Sequence, residues 1–234
     1  MREFLAGWWA APALCELMTN SRRDFVKVAA STGLAAPAAL GAAEVPKRTL
    51  GKTGLRVSIM GLGGARTGTM EDPKAAAAVI RHCYEMGVNY FDSAAAGAYG
   101  LSQSRIGAAL KDVRTKLVFS TKTRHRDATQ SQLDLDQSLA NFKTDYIDLY
   151  QVHNVINESD IEFIFGKRGV MEMIEKARKE GKIRFVGFTG HTEPAIHNKM
   201  MSLFLGTRSH NVARRGGKCR SFWRVSGPRR PCAS

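Results

Sequence analysis

The stretch Ile147-Asp148-Leu149-Tyr150-Gln151-Val152 is a short, mostly apolar run that ends at His153. Two earlier apolar runs also end at a polar residue, one at Asp92 and the other at Lys122. Helix-like segments separate the three runs, and this alternation predicts successive strands of an α/β fold with a parallel sheet. Because the carboxyl ends of parallel strands face one crevice, a carboxylate, an ammonium and an imidazole are expected to converge there. The phenol of Tyr99, on the loop after the first of these strands, would join them.

The same alternation continues on both sides of the three runs. Gly51 and Gly54 predict the turn of a small hairpin over residues 47–58, and a first core strand is expected over residues 57–62. The remaining elements are predicted as strands at 88–92, 117–122, 146–152 and 184–188, and as helices at 102–111, 129–142, 168–180 and 193–204. Together they make five β/α units, whose strands are apolar on both faces as in a sheet covered by helices.

Another helix is predicted between the first two core strands. Asp72 is a suitable N-cap, Pro73 suits the first helical position, and Gly87 marks the end. The apolar face of this helix would consist of Ala76, Val79, Ile80 and Cys83.

The positive charge of the chain is concentrated near its end. The 234 residues carry a net charge of +14 at pH 7, and eight of the cations follow Thr207, where no acidic residue occurs. Such a segment can bind nucleic acid or an anionic membrane. With only Phe222 and Trp223, however, it offers few side chains for stacking on bases. We expect residues 206–234 to be a basic, disordered or out-of-frame tail without specific nucleic-acid binding.

The cysteines do not suggest a metal site. Their spacing fits neither a zinc site nor a disulfide framework, and only Cys83 lies in the part that is expected to fold; the four are Cys15, Cys83, Cys219 and Cys232. No metal is therefore expected.

Residues 1–43 are predicted to be an export signal. Ser21-Arg22-Arg23-Asp24-Phe25-Val26-Lys27 precedes a mildly apolar run that ends in small residues, and this order resembles a twin-arginine signal peptide. The run is too short and too polar for stable membrane insertion. Met18 is the expected initiator, which would make residues 1–17 an over-extended start. The resemblance implies the twin-arginine export machinery as a partner and a periplasmic or other extracytoplasmic location; the alternative is a flexible linker with a chance basic pair.

Four motifs resemble those of the aldo-keto reductase family. In chain order they are Arg48-Thr49-Leu50-Gly51-Lys52-Thr53-Gly54-Leu55, Gly87-Val88-Asn89-Tyr90-Phe91-Asp92-Ser93-Ala94 with Tyr99-Gly100, Tyr146-Ile147-Asp148-Leu149-Tyr150-Gln151-Val152-His153, and Glu180-Gly181-Lys182-Ile183-Arg184-Phe185-Val186-Gly187. The resemblance implies a TIM (β/α)₈-barrel fold with an N-terminal β-hairpin. It also implies NAD(P)H-dependent reduction of aldehydes or ketones to alcohols. Residues 47–205 are expected to form a partial barrel of this type.

The resemblance further implies roles for single residues. Tyr99 would be the general acid that protonates the carbonyl oxygen, and Lys122, held by Asp92, would stabilise the resulting phenolate. His153 would donate a hydrogen bond that orients a small carbonyl substrate. NADPH is favoured over NADH, and the cofactor-binding residues would be Gly63, Gly64, Asp92, Thr189 and His191.

The chain departs from the family pattern in three places. Seven positions separate Asp92 from Tyr99, more than in many members, so a bulged loop is expected. Thr189-Gly190-His191 stands where a Ser-Asn pair commonly holds the nicotinamide carboxamide. After Leu205 no apolar run of strand length follows, which predicts a barrel that is incomplete, truncated or frameshifted.

Two other functions stay open. The chain could be a non-catalytic, truncated barrel remnant or a partner-binding fragment, or it could bind nucleic acid or a membrane surface through its basic tail. An incomplete sheet exposes edge strands and apolar surface, so aggregation is expected in either case.

Overall fold

The computed structural model describes residues 44–206 and 212–213. The predicted signal peptide and the expected initiator Met18 lie outside the described residues, as does the basic tail except at residues 206, 212 and 213. In the described part, strands and helices alternate along the chain.

A short antiparallel hairpin lies at the start of the described chain. Strand β1 (Lys47–Thr49) pairs with β2 (Arg56–Ser58), and Gly54 adopts a φ of 73° in the turn, a conformation that favours glycine. The hairpin prediction is confirmed. Apolar side chains of the hairpin pack against the first residues of the sheet strands, in a cluster formed by Leu50, Leu55, Val57, Tyr90, Val118 and Leu149. The hairpin therefore covers the amino end of the sheet.

Six strands form one parallel sheet in chain order. They are β3 (Leu62–Gly63), β4 (Tyr90–Asp92), β5 (Val118–Thr123), β6 (Ile147–Val152), β7 (Ile183–Phe188) and β8 (Val212–Ala213). Every residue of β5 and β6 is buried, which is the pattern of a parallel sheet covered on both faces. The ends of β4, β5, β6 and β7 consequently lie side by side at one edge.

The prediction of one core strand over residues 57–62 is wrong. Val57 belongs to the antiparallel hairpin, whereas Leu62 pairs in the parallel sheet with β4. One continuous strand cannot serve both ladders, because their directions and partners differ. The chain therefore bends at residues 59–61, and β3 is only two residues long.

One short strand, β8, follows Leu205. The two residues of β8 pair in parallel with Val186 and Gly187 of β7. A two-residue strand leaves no apolar run that a sequence pattern could reveal, so it is defined by its pairing with β7 alone.

Helices connect the strands and cover the sheet. They are α1 (Ala65–Thr69), α2 (Pro73–Glu85), α3 (Ala96–Tyr99), α4 (Ser102–Ala109), α5 (Ala128–Phe142), α6 (Glu158–Phe165), α7 (Val170–Lys179) and α8 (Pro194–Gly206). Two 3₁₀ segments, Gly51–Thr53 and Lys111–Lys116, complete the described secondary structure. Helix α6 has no counterpart in the sequence prediction, although Asn157 caps it by accepting a hydrogen bond from the amide of Asp160 at 2.8 Å.

Helix α2 begins as predicted, with the Asp72 side chain accepting a hydrogen bond from the Lys74 amide at 2.8 Å. Gly87 has a φ of 93° just beyond its end. Ala76 and Ile80 are fully buried in the α2 face. Val79 was predicted to join them, and this is wrong, since 42% of it is exposed.

The main core lies between the sheet and the helices. The rings of Phe119 on β5 and Phe142 on α5 stack with centroids 4.8 Å apart, and Phe91 on β4 meets Phe119 edge-on at 6.3 Å. This core fixes the strands whose ends carry the candidate site. Among the helices of the described ranges, none is both long and apolar enough to cross a membrane.

Candidate active site

A buried ion pair joins the ends of β4 and β5. Lys122 Nζ lies 2.6 Å from Asp92 Oδ2, and the Lys122 side chain is completely shielded from solvent. The same ammonium also donates to the carbonyl oxygen of Ser93 at 2.6 Å. A buried charge is tolerated only when it is paired and hydrogen-bonded, and both conditions are met here.

The second oxygen of the Asp92 carboxylate is held by neutral partners. Ser120 Oγ donates to Asp92 Oδ1 at 2.9 Å, and Gln151 Nε2 lies 3.4 Å from the same oxygen. Gln151 also donates to Ser120 Oγ at 2.7 Å, while its own Oε1 is buried without a partner among the described residues. Sequence reasoning did not single out Gln151. The sequence does contain a sign of its role: Gln151 precedes His153 by two residues and therefore lies on the same face of the strand.

Tyr99 lies next to the buried ammonium. Lys122 Nζ is 4.9 Å from the centroid of the Tyr99 ring, close enough for a cation–π interaction. The expected bulge between Asp92 and Tyr99 is a short helix, α3, in which the Tyr99 amide donates to the carbonyl of Ala95 at 3.2 Å. The helical turn takes up the additional residues, and the phenol ring still contacts Lys122.

His153 follows β6 directly and is tied to the end of β7. Its Nδ1 lies 2.7 Å from Thr189 Oγ1, and its amide donates to the carbonyl of Thr123 at 2.8 Å. Burial, followed by the positive charge of Lys122, lowers the pKa of His153 from 6.5 to about 4. The imidazole is therefore neutral at neutral pH, so one nitrogen carries a proton and the other accepts a hydrogen bond.

The segment after β7 brings a second histidine to this edge. The ring of His191 is exposed and lies edge-on to His153, with centroids 6.3 Å apart. Between Thr189 and His191, a Cβ on Gly190 would collide with Nε2 of His197 and lie 2.6 Å from the Val155 carbonyl oxygen. Glycine at position 190 is thus required by close packing.

Sequence reasoning missed His197, which lies in the first turn of α8. Its ring packs against Phe188 with centroids 6.0 Å apart, and burial lowers its pKa. Its Nε2 is buried without a partner among the described residues. The only signal in the sequence was the glycine at position 190, which leaves space for a neighbouring ring.

The two predicted cofactor-binding glycines have different surroundings. Gly63 lies beside Asp92 in the sheet, and a Cβ there would meet nothing within 4 Å. A Cβ on Gly64 would collide with Ser102 Oγ and lie 2.9 Å from the Asp92 carbonyl oxygen. Gly63 therefore borders open space, whereas Gly64 is needed where α4 packs against the sheet.

The structure thus gathers most of the predicted site residues at one edge of the sheet. Asp92, Lys122 and Tyr99 are in contact, His153 contacts Thr189, and His191 lies beyond them. Within residues 44–206 and 212–213, no group of three or more His, Cys, Asp or Glu side chains is arranged to bind a metal ion.

Comparisons with known proteins agree with this architecture. The sequence model of the Aldo/keto reductase family matches residues 59–212. L-galactose dehydrogenase from Arabidopsis thaliana is 33% identical over 162 residues, which are 63% of this chain and 49% of that protein. Aldo-keto reductase YhdN from Bacillus subtilis (strain 168) is 32% identical over 155 residues, which are 59% of this chain and 45% of that protein.

A solved structure shows the same fold. The holo form of aldo-keto reductase AKR11C1 from Bacillus halodurans superposes with a TM-score of 0.58 at 28% identity, covering 68% of this chain and 54% of that chain. The fold is therefore an α/β fold of the (β/α)₈-barrel type, of which the described residues form the hairpin and six parallel strands. The chain belongs to the aldo/keto reductase family. It spans about half the length of the curated relatives described above.

Proposed function

We propose that this chain carries the catalytic residues of an NAD(P)H-dependent oxidoreductase that reduces a small aldehyde or ketone to an alcohol. One observation carries the proposal: the fully buried Lys122 ammonium lies 2.6 Å from Asp92 and 4.9 Å from the Tyr99 ring centroid. A buried ion pair is weak evidence for a role in stability. Its position beside a phenol and at a strand end favours a role in chemistry.

Tyr99 acts as the general acid. Its phenol gives a proton to the carbonyl oxygen of the substrate as hydride adds to the carbonyl carbon, so that the oxygen becomes the alcohol hydroxyl. Lys122 stabilises the phenolate that remains, because its positive charge is held beside the ring. Asp92 holds Lys122 in this position, and Ser120 and Gln151 hold Asp92.

His153 orients the carbonyl. As a neutral imidazole in a half-buried position it donates one hydrogen bond to the oxygen on which negative charge develops. The charge of Lys122 is balanced by Asp92, and the neutral His153 donates its hydrogen bond without adding a second positive charge to the site.

The residues at this edge fit a nicotinamide cofactor, which supplies the hydride when it is bound. The open space beside Gly63 and the exposed ring of His191 border the catalytic residues. We propose that the nicotinamide end contacts Gly63, Gly64, Asp92, Thr189 and His191. Gly63 and Gly64 have no side chains, so both would contact the cofactor through their backbone atoms. NADPH is proposed over NADH on the strength of the family resemblance.

The test is an assay of the full chain with NADPH and with NADH, following cofactor oxidation with a panel of aldehydes and ketones. Tyr99→Phe is expected to lower kcat by about 10²–10⁴-fold, the usual contribution of a general acid, while cofactor binding persists. The matched control is Tyr84→Phe, which removes a phenol from α2, away from the site. Equal activity of Tyr99→Phe and the unaltered chain would refute the assigned acid.

Cofactor binding separates this proposal from the non-catalytic alternative. Fluorescence titration with each nucleotide is expected to show saturable binding that is tighter for NADPH. If the folded chain binds neither nucleotide, its site residues have no reductase role, and a partner-binding role becomes the better proposal.

We also propose that the protein is exported through the twin-arginine pathway, on the basis of residues 21–27 and the small residues that follow. Residues 1–43 would then be removed, and residues 47–205 would form the exported partial barrel. Replacing both Arg22 and Arg23 by Lys should retain the precursor in the cytoplasm, as cell fractionation would show. Unchanged localisation of that variant would contradict the proposal.

A further inference from the structure

The hydroxyl of Thr189 is almost completely buried at the end of β7, with 1% of the residue exposed. Its position is fixed on both sides, because the Thr189 amide donates to the Val152 carbonyl at 2.9 Å and its carbonyl accepts from the Val155 amide at 2.8 Å. A buried hydroxyl must find an acceptor for its proton, since an unsatisfied donor costs about 1–3 kcal/mol. The identity of that acceptor decides the state of the neighbouring imidazole.

Two polar partners of this hydroxyl occur among the residues that the structure describes. The Asn154 amide lies 2.9 Å from Thr189 Oγ1 and can only donate to it. His153 Nδ1 lies 2.7 Å away, and it is the partner that is able to accept. The hydroxyl proton is therefore directed at Nδ1, and a neutral imidazole whose Nδ1 accepts must carry its own proton on Nε2.

We propose that Thr189 is a positioning residue that fixes His153 in the Nε2–H form, so that Nε2 is the nitrogen that donates to the substrate carbonyl. Its part concerning the substrate rests on the proposed reductase function. The assignment of the proton rests only on the contacts of Thr189, His153 and Asn154.

The backbone next to His153 supports this arrangement. Asn154 has a φ of 57°, in the left-handed region, and its amide is aimed at Thr189 Oγ1. The amide occupies one acceptor position of the hydroxyl oxygen, which turns the hydroxyl proton away from Asn154. Arg126 fixes the same loop, since its guanidinium donates to the carbonyls of His153 and Asn154 at 3.0 Å each. The ring and its partner are thus held from both sides.

Protonation of His153 would oppose this arrangement. A charged imidazole has protons on both nitrogens, so Nδ1 would then meet the hydroxyl proton of Thr189 instead of accepting it. The hydroxyl would have to rotate away from its acceptor. The contact with Thr189 therefore acts in the same direction as burial, which keeps the ring neutral.

The experiment measures the tautomer directly, with neither cofactor nor substrate present. Long-range ¹H–¹⁵N NMR spectra of the full chain, labelled with ¹⁵N, report which ring nitrogen of each histidine carries a proton. The chain has six histidines, and His153→Gln identifies the signals of His153. At pH 7 we expect Nε2 to be protonated and Nδ1 to be of the acceptor type.

Two variants test the role of Thr189. Thr189→Val keeps the size of the side chain and removes its hydroxyl, and we expect the His153 proton to be shared between both nitrogens. Thr189→Ser keeps the hydroxyl and should restore the Nε2–H form. A folded Thr189→Val variant with the same His153 tautomer as the unaltered chain would overturn the proposal. If Thr189→Val does not fold, the unaltered chain still decides, because a proton on Nδ1 of its His153 would also overturn the proposal.

Activity is a separate readout. In an active chain, Thr189→Val should lower kcat in proportion to the share of His153 that no longer carries its proton on Nε2, about 2-fold for an equally shared proton. Complete loss of the donor would cost about 10²-fold, and Thr189→Ser should restore the full kcat. The Nε2–H form without any reductase activity would refute the proposed function and leave the assignment of Thr189 intact. Reductase activity with His153 in the Nδ1–H form would refute the assignment of Thr189 and leave the proposed function intact.

Discussion

The two ends of the parallel sheet each hold a buried carboxylate paired with a basic side chain. At the amino end, Asp148 is completely buried, and its oxygens lie 2.9 Å from Arg114 and 2.6 Å from Arg184. At the carboxyl end, Asp92 lies 2.6 Å from Lys122. The two ion pairs have the same composition, since each joins an acidic residue on one strand to a basic residue from another part of the chain. Their surroundings differ.

At the amino end, Arg114 and Asp148 both have further structural partners. The Arg114 guanidinium donates to Thr144, Leu117 and Tyr146 in addition to Asp148, and it lies 4.4 Å and 4.1 Å from the ring centroids of Phe119 and Tyr146. Arginine suits such a place, because its planar guanidinium both stacks on rings and forks to several acceptors.

At the carboxyl end, some polar groups are not fully engaged in bonds within the fold. Gln151 Oε1 is buried without a partner among the described residues, His153 is held neutral, and a phenol lies against the ammonium. A buried ion pair alone therefore does not identify an active site. The two ion pairs differ in their neighbours: only the pair at the carboxyl end lies beside polar groups that remain available for a ligand.

The strongest test of this comparison is Lys122→Met. It leaves the Asp92 carboxylate buried without its cation, which should lower the free energy of unfolding by about 3–5 kcal/mol and abolish activity. Urea unfolding and the reductase assay measure the two effects. In the double variant Asp92→Asn/Lys122→Met the charge is removed from both partners, so most of the stability should return while activity does not. Recovery of activity in that double variant would show that the pair serves only the fold.

A smaller effect is expected from Asp148→Asn at the amino end. Arg114 then loses its buried anion but keeps its other acceptors, so the free energy of unfolding should fall by about 3 kcal/mol. The kcat of the folded fraction should be unchanged, because no predicted site residue contacts Asp148. A selective loss of kcat at full folding would show that the two ends are coupled.

The close packing at Gly190 gives a third prediction. Gly190→Ala forces the new Cβ against His197 Nε2, and such overpacking should cost about 1–3 kcal/mol in urea unfolding. Adding His197→Ala should recover part of this cost. The matched control is Gly63→Ala, whose Cβ would meet nothing within 4 Å. If Gly190→Ala and Gly63→Ala were equally stable, the packing argument for position 190 would be wrong.

The fourth prediction concerns pH. Because the folded state lowers the pKa of His153 from 6.5 to about 4, the unfolded chain binds more protons in that interval. Stability should therefore fall as the pH is lowered from 6.5 to 4. Urea unfolding at several pH values should show a weaker pH dependence for His153→Gln. His82→Gln serves as the control, since the His82 side chain is 71% exposed. The same slope in both variants would contradict the assignment.

The sequence predicts the strands whose pattern is local and misses features that depend on distant partners. The apolar runs before Lys122 and His153 are both strands, because two buried faces produce a continuous apolar run. Strand β8 is two residues long and exists through pairing with β7, so no local pattern reveals it.

The site follows the same rule. The sequence predicts the site residues at the ends of β4, β5 and β6, because a polar residue follows an apolar run at each of them. Gln151 and His197 were not predicted, because a glutamine within a buried strand and a histidine in a helix have no distinctive spacing. The contact of Thr189 with His153 joins residues 36 positions apart and depends on the pairing of β6 with β7.

The short helix α3 has a consequence for how much length the segment between Asp92 and Tyr99 can tolerate. Four residues in an extended strand would advance about 13 Å, whereas the same four in a helix advance about 6 Å. Winding the chain therefore shortens the span of this segment, and the Tyr99 ring still lies 4.9 Å from the Lys122 ammonium. An insertion in α3 would keep that contact only if it added whole turns, because each further helical residue rotates the ring by about 100° around the helix axis.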